Sequence, residues 1–458
     1  MKNIMKFLLL LGALALTGCG GGSKSGGGQN NKNDVLISIY PVSAKAAGGT
    51  KVLLTVTTKN TNIIWPTLAA GAGSYTKNGN QAEWTLPLKT GTYEFTVTAA
   101  ADSAKRATAR IEVFLPEPEI SVYPASMTLD IGSTAYFIAE LFIPNGQPDQ
   151  TADWKIAGNC GTISQQGVFH AQKIGNCSLT VSIKGNAVEK ITATAAIKVQ
   201  APPEYAEITQ PGAENTYLIG INDSGVILGV SHLGGNARGF VKEGAAYTTV
   251  EYPGAINTYV QGINNANVVV GSYEYEKTWF RGFQKTASGY TDIEYPGSAD
   301  TNVTGINNSG VVVGYYWDAA REQFRGFKKT GATYEAFDCS GALATYPLGI
   351  NDNGTIVGSF KDSDGWYHGF EKTGAVCVAV DYSPITTTEI SGINNAGATV
   401  GYFTDSDGLV SGFVKTGENY RIVRYPDAEE TQVMDINNAG RIVGYYIDTD
   451  GRYHGFVE

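Results

Sequence analysis

The chain is poor in charge: Lys, Arg, Asp and Glu make up 17 % of its 458 residues, leaving a net charge of −10 and a pI near 5.1. An acidic balance of this size repels phosphates and argues against nucleic acid as a partner. Histidine is scarce too. The four present, His170, His232, His368 and His454, are scattered or tied to a repeat and form neither a triad nor a metal cluster. No Gly-x-Ser-x-Gly elbow and no Ser-x-Asp-x-Gly box occurs, and none of the five cysteines has zinc-ligand spacing. No catalytic constellation is legible, and no cofactor is implied. Glycine, by contrast, is abundant: 57 residues beside 42 % hydrophobic ones, the composition of a β-rich globular protein with several cores.

Much of that glycine belongs to one phrase written six times. It opens with Gly-Ile-Asn at Gly220, Gly262, Gly305, Gly349 and Gly392 and with Asp-Ile-Asn at Asp435, at spacings of 42 to 44 residues. A second glycine follows nine residues later, and a Gly-Phe pair closes the phrase at Phe240, Phe283, Phe327, Phe370, Phe413 and Phe456. A period of about 40–50 residues matches one four-stranded propeller blade. Within a copy, runs such as Val268 to Val270 are apolar without alternation, as a sheet buried on both faces requires. Residues 205–213 match the fourth strand and its exit, 247–255, in register, and Glu458 falls directly after a third strand. The expectation is a six-bladed β-propeller over 204–458, closed by an N-terminal outer strand that hides a raw sheet edge.

The first glycines are read as packing residues on the innermost strand, and Gly225, Gly310, Gly354, Gly397 and Gly440 as turn residues needing positive φ. A packing residue recurs in every blade, whereas a catalytic one is needed once. The phrases Gly349-Ile-Asn-Asp-Asn-Gly-Thr-Ile-Val-Gly358 and Tyr367-His-Gly-Phe370 resemble the extracellular HAF repeat, a bacterial family named for a His-Ala-Phe triplet. Here the triplet departs to His-Gly-Phe at His368 and His454, Arg-Gly-Phe at Arg238, Arg281 and Arg325, and Ser-Gly-Phe at Ser411. The resemblance implies an exported, surface-bound protein and carries over no catalytic residues.

Residues 1–19 read as an export signal: Lys2 and Lys6, an apolar core from Phe7 to Leu16, then Leu16-Thr-Gly-Cys19, which resembles a bacterial lipobox. Cys19 is the expected lipidation site and membrane anchor, and Gly20 after it favours the outer membrane in a Gram-negative host. Residues 20–34 are a Gly, Ser, Asn and Lys tether reaching at most about 50 Å. Residues 35–116 and 117–201 each show short strands with frequent turns, the pattern of an immunoglobulin-like β-sandwich, with Trp65 and Trp154 as core anchors. The second resembles the bacterial immunoglobulin-like domains of adhesins and surface enzymes, and Ala201-Pro-Pro203 reads as a stiff hinge before the ring. The fold class is therefore all-β: two sandwiches followed by the propeller. Export to an oxidising compartment favours disulfides, Cys160 with Cys177 first and Cys339 with Cys377 second.

Three loops read Asp362-Ser-Asp364-Gly365, Asp405-Ser-Asp407-Gly408 and Asp448-Thr-Asp450-Gly451. Alternate carboxylates make them weak calcium candidates, yet each lacks a third carboxylate and a distal Glu, and Asp-Gly is also an ordinary hairpin turn. Ligand-binding candidates are the residues of the loops that differ most between copies: Tyr275, Trp279, Trp317, Arg321, Trp366 and Tyr367, on the end carrying the strand 2–3 hairpins. The first functional reading is a lipid-anchored display protein whose propeller binds a carbohydrate or protein without turnover. The alternatives are a polysaccharide hydrolase or lyase using Asp318 and Glu322 as acid and base, and a purely structural envelope role.

Overall fold

The computed structural model describes residues 35–115, 119–142, 152–185, 188–276, 279–383, 386–405 and 407–458. The signal, Cys19 and the tether lie outside the described residues. All regular structure among the described residues is β-strand, in two compact units, 1–117 and 118–458.

In the first unit, the four-stranded sheet of Leu36–Tyr40, Lys51–Lys59, Gln81–Thr85 and Ser74–Asn78 faces a second one of Ser43–Ala47, Asp102–Phe114, Gly91–Ala99 and Ile63–Ile64. Leu54, Val56 and Trp84 from one sheet meet Phe95, Val97 and Ile111 from the other, because alternate residues of each strand turn inward. The aromatic anchor is Trp84, fully buried, with its Nε1 donating to the Ala72 carbonyl at 2.9 Å. Trp65, the expected anchor, is only partly buried at the edge of that core.

The second unit corrects the expected hinge. Strand Ser126–Asp130 of the second sandwich pairs in parallel with Asn419–Val423, the outermost strand of the fifth blade, at Ser126/Asn419, Met127/Tyr420 and Thr128/Arg421. One eight-stranded sheet thus runs from Ala152–Ala157 of the sandwich to Thr387–Ile393 of the ring. Trp154, Phe169 and Leu179 share a continuous core with Tyr382, Phe413 and Tyr420. Prolines in the connector cannot confer independence on two bodies whose backbones hydrogen-bond elsewhere. Cys160 and Cys177 are disulfide-bonded within this sandwich.

The repeats form six four-stranded blades, five of them separate sheets and the fifth continuous with the sandwich sheet. Blades 1 to 5 run from inner to outer strand over 215–250, 258–293, 301–337, 344–379 and 387–423. Blade 6 takes Glu430–Ile436, Ile442–Ile447 and Tyr453–Val457, and its fourth strand is Ala206–Ile208, antiparallel to Tyr453–Val457. Around the axis, the first Asn of each phrase gives its Nδ2 to the backbone oxygen of the next: Asn222 to Asn264, Asn264 to Asn307, Asn307 to Asn351, Asn351 to Asn394, Asn394 to Asn437, and Asn437 back to Asn222. A second circle uses the following residue. Its backbone N–H reaches the side-chain oxygen of the next blade through Asp223, Asn265, Asn308, Asp352, Asn395 and Asn438. The two acids, three blades apart, accept the four amides between them: Asn265 and Asn438 on Asp223, Asn308 and Asn395 on Asp352.

Three further devices recur. A buried Thr accepts the N–H of the incoming linker at every junction, from Thr216 with Gln210 to Thr431 with Tyr425. A Cβ at the second glycine, Gly271 or Gly401 for example, would collide with the inner-strand carbonyl of Tyr259 or Glu389, so that glycine is dictated by close approach. Linker tyrosines also stack on the next blade: Tyr252 on Tyr273 and Tyr295 on Tyr316 at 3.6 Å, Tyr425 on Tyr446 at 3.8 Å. These linker tyrosines also meet a fourth-strand tyrosine: Tyr252 with Tyr290, Tyr295 with Tyr334, Tyr382 with Tyr420, and Tyr425 with Tyr205 of the N-terminal strand. Between blades 3 and 4 the two aromatic positions are held by Cys339 and Cys377, which are bonded to each other.

Candidate functional site

Successive hairpins of an antiparallel sheet lie at opposite ends, so the strand 2–3 hairpins share one end of the ring with the beginnings of the inner strands. Three residues before the first repeated glycine stand Tyr217, Tyr259, Asn302, Tyr346, Glu389 and Gln432, all half-buried. Each inner strand carries a bulge just after this position, the device by which a strand re-aims a side chain. Directly after the second glycine come Val230, Ser272, Tyr315, Ser359, Tyr402 and Tyr445. The two sets touch across blade boundaries: Tyr315 lies 5.1 Å from Tyr346 at 82°, and Tyr445 lies 5.1 Å from Tyr217 at 80°. The Tyr445 hydroxyl donates to Gln432 at 2.6 Å.

Glu389 is the carboxylate of this mouth. It accepts from the Tyr402 hydroxyl and, at 3.4 Å, from Ser359 of the preceding blade. Burial pushes its carboxyl up, and the two hydroxyl bonds offset that only in part. Burial likewise raises Tyr217, Tyr315 and Tyr346 to about 12, so all three present neutral phenols at physiological pH. Asp300 is raised by burial too, against donations from the Phe280 N–H and Asn302. What gathers here is a set of aromatic faces, hydroxyls and acceptors, the groups that bind a hydroxyl-rich ligand.

The sequence candidates sit around this mouth with differing parts. Tyr367 lies against Tyr346 at 6.3 Å, and Trp366 beside it is 56 % exposed. Trp317 packs edge-on to Phe324 at 5.1 Å, and Trp279 is half-buried at its hairpin. Tyr275 is covered by the Arg281 guanidinium at 4.0 Å and donates to the Ala299 carbonyl. Arg321 pairs with Asp338 at 3.3 Å. The structure therefore sets Tyr367 against the mouth residue Tyr346, leaves Trp366 exposed on the adjoining hairpin, and gives Tyr275 and Arg321 local partners.

Asp318 accepts the backbone N–H of Ala320 and faces Arg325 at 3.4 Å, while Glu322 holds a positive φ of 53° in the same turn. Both act as loop builders. The leading aspartates of the three Asp-x-Asp-Gly loops cap their own turns: Asp362 receives the N–H groups of Asp364 and Trp366, Asp405 those of Asp407 and Leu409, Asp448 those of Asp450 and Arg452. The second aspartates are exposed, and Asp407 accepts from Tyr136 of the sandwich at 3.0 Å. Among the described residues, no three His, Cys, Asp or Glu side chains are grouped to hold a metal ion.

The variable first residue of the triplet also has a common task. Arg238 pairs with Glu251, Arg281 with Glu294, Arg325 with Asp338, His368 with Asp381 and His454 with Glu207, each across strands 3 and 4. Tyr217, Tyr346, Glu389, Tyr402 and Tyr445 escaped the sequence reading. Their signal was present: they hold positions that vary from copy to copy while the neighbouring glycines stay fixed.

No protein-family model matches the chain, and no curated protein matches it. Among solved structures it is similar to TolB from Acinetobacter baumannii at 9 % identity and a TM-score of 0.33, over 61 % of this chain and 59 % of that one. It is similar to the fucose-specific lectin from Aleuria aurantia at 10 % identity and 0.34, over 60 % and 95 %. The human mucin-like protocadherin EC1-2 gives 13 % and 0.18, over 37 % and 98 %. The chain thus spans about three-fifths of the TolB structure. Overlaps this small assign no activity, and the all-β fold rests on the strand pairing itself.

Proposed function

We propose that the chain is an exported recognition protein whose propeller binds a carbohydrate at the tyrosine-lined mouth, without turnover. The observation that carries this reading is the gathering of Tyr315, Tyr346, Tyr402 and Tyr445 around Glu389, with Tyr217 against Tyr445 and Tyr367 against Tyr346. Tyrosine faces stack on sugar rings while hydroxyls and a carboxylate sort their hydroxyl groups. In this reading Cys19 carries the lipid anchor, residues 20–34 tether it, 35–116 form an immunoglobulin-like stalk, and 117–201 with 204–458 form the displayed head. Two disulfides in the head, Cys160–Cys177 and Cys339–Cys377, fit an oxidising compartment.

A glycan array probed with the purified full chain tests the binding, with the retained glycans then analysed for cleavage. Retention of intact glycans, lost in Tyr346→Ala, is the expected result. Shortened products would instead establish a hydrolase or lyase, and failure to retain any glycan would remove the carbohydrate reading. The anchor has its own test: Cys19→Ser should release the protein from the membrane fraction.

A further inference from the structure

The blade that adjoins the second sandwich breaks a rule the other blades keep. At the end of the fourth strand, blades 1 to 4 place an acid, Glu251, Glu294, Asp338 or Asp381, against the cation that leads the triplet. Blade 5 inverts the arrangement: Arg424 stands where the acid belongs, and Ser411 where the cation belongs. Arg424 gives its Nε to the Ser411 hydroxyl at 2.9 Å. Among the described residues no carboxylate comes within ion-pair distance of it.

Arg424 also lines a cavity of about 200 Å³ between sandwich and ring, whose walls include Tyr136, Phe137, Gln166, Tyr382, Phe403 and Asp405. That volume exceeds the ~150 Å³ of an engineered cavity that admits benzene. Burial of Arg424 lowers its guanidinium, and Asp405, Tyr382 and Tyr136 are the charged or titratable groups that act on it from the surrounding elements. The apolar walls come from both bodies: Phe137 from the sandwich, Tyr382 and Phe403 from the ring, each at most 5 % exposed. Asp405 of the same cavity lies beyond ion-pair distance and accepts the N–H groups of Asp407 and Leu409, so Arg424 has a serine hydroxyl but no paired carboxylate, and a guanidinium presents a fork that matches a planar one.

We infer that this junction is a second binding site, separate from the mouth, and that it takes a small molecule bearing a carboxylate, with Arg424 as its anchor. Uronic acids and aromatic carboxylates have the required chemistry: one planar anion on a compact body that can lie against Phe137 and Phe403.

The test is a thermal-shift and calorimetric comparison of the full chain with glucuronate, galacturonate and benzoate against glucose, galactose and benzyl alcohol. At least one carboxylate is expected to raise the melting temperature and bind, with its neutral counterpart at least ten-fold weaker. Arg424→Met should abolish the difference, and Arg424→Lys should retain part of it. Because Arg424→Met removes a half-buried side chain, Gln166→Glu supplies an independent check. It adds a negative charge to an exposed residue on the cavity wall and should weaken the carboxylate several-fold without unfolding the chain. Equal binding of the neutral partners, unchanged binding in Arg424→Met or Gln166→Glu, or no response to any carboxylate would each overturn the site. None of these results bears on glycan retention at the mouth, which Tyr346→Ala reads separately.

Discussion

The two ends of the ring were built under opposite constraints. At the end of the strand 1–2 turns, six asparagines repeat without exception, and their amides link every blade to the next. At the other end, the corresponding inner-strand position is Tyr, Tyr, Asn, Tyr, Glu and Gln in turn. Uniformity marks the residues each blade needs in order to meet its neighbour. Divergence within the same phrase marks residues freed from that duty, and these are the ones that gather into a mouth. The difference teaches that repetition can separate scaffold from site within a single sequence.

The most damaging way to test the scaffold side is to remove its borrowed strand. Replacing Tyr205–Gln210 by a Gly-Ser stretch of equal length keeps the connector but takes away the strand-forming side chains of Ala206–Ile208, the Tyr205–Tyr425 contact and the Glu207 bonds to Tyr446 and His454. The sixth sheet is left with an open edge and the circle loses its seam. Loss of one cooperative melting transition for the ring is expected by calorimetry. An unchanged transition would mean that Ala206–Ile208 does not hold the ring together.

A pair of single substitutions then sets one end against the other. Asn307 donates to Asn351 and accepts the N–H groups of Ser309 and Val311 while only 5 % exposed. Asn307→Ala leaves three polar groups unsatisfied and should cost about 2–4 kcal/mol in denaturant unfolding, with glycan affinity per folded molecule unchanged. Tyr346→Ala should do the reverse, removing retention with a smaller loss of stability. If both variants lose stability and binding in the same proportion, the division between the two ends is wrong.

The junction between blades 3 and 4 offers a milder comparison. At four other junctions linker and fourth-strand tyrosines meet, whereas here Cys339 and Cys377 stand in their places and are bonded. Cys377→Ser should cost about 2–4 kcal/mol. Cys339→Tyr with Cys377→Tyr should recover much of that loss and reduce the effect of reductant on the melting temperature to that of Cys160–Cys177 alone. A double variant no better than the single one would show that the aromatic pair does not substitute for the bond.

Much of this architecture was legible because the phrase repeats. Gly271 and Phe283 recur since each blade must clear an inner-strand carbonyl and fill its own centre, and the match of 205–213 to 247–255 by itself points to the sixth blade's outer strand. Pairings between distant segments were not legible. Nothing in Ser126-Met-Thr128 announces that it will pair with Asn419-Tyr-Arg421, since its backbone hydrogen bonds carry no side-chain signature, so the connector prolines were read as a hinge. The mouth was missed for a related reason: hairpin tips drew attention as the most variable loops, while Glu389 and Tyr346 vary inside a strand otherwise fixed by Thr and Gly. Trp84 was overlooked as the first sandwich's anchor because burial depends on which face of a strand turns inward, and Trp65 offered an equally large ring.

The smallest effect expected lies at the one position where the uniform end departs from itself. Asp435 stands where five blades have glycine, and burial raises its carboxyl to about 7, against the N–H groups of Ile221 and Ile436 and with Asp223 adding repulsion. A carboxyl raised on folding lends stability below its ordinary value of 3.8, which is lost as the pH climbs through about 7. Asp223 and Asp352 run the other way. Burial alone would raise them, but the flanking asparagine amides hold both below 3.8, so their contribution is present above that value and is lost as the pH falls through their lowered pKa. The ring should therefore be most stable in mildly acidic solution. Asp435→Asn removes the charge and keeps one acceptor for the two N–H groups, so its stabilising effect should be larger at pH 8 than at pH 5 and should vanish below the ordinary value of 3.8. An equal effect at both pH values would show that Asp435 stays ionised in the channel and that the neutral end of the ring tolerates a charge on its axis.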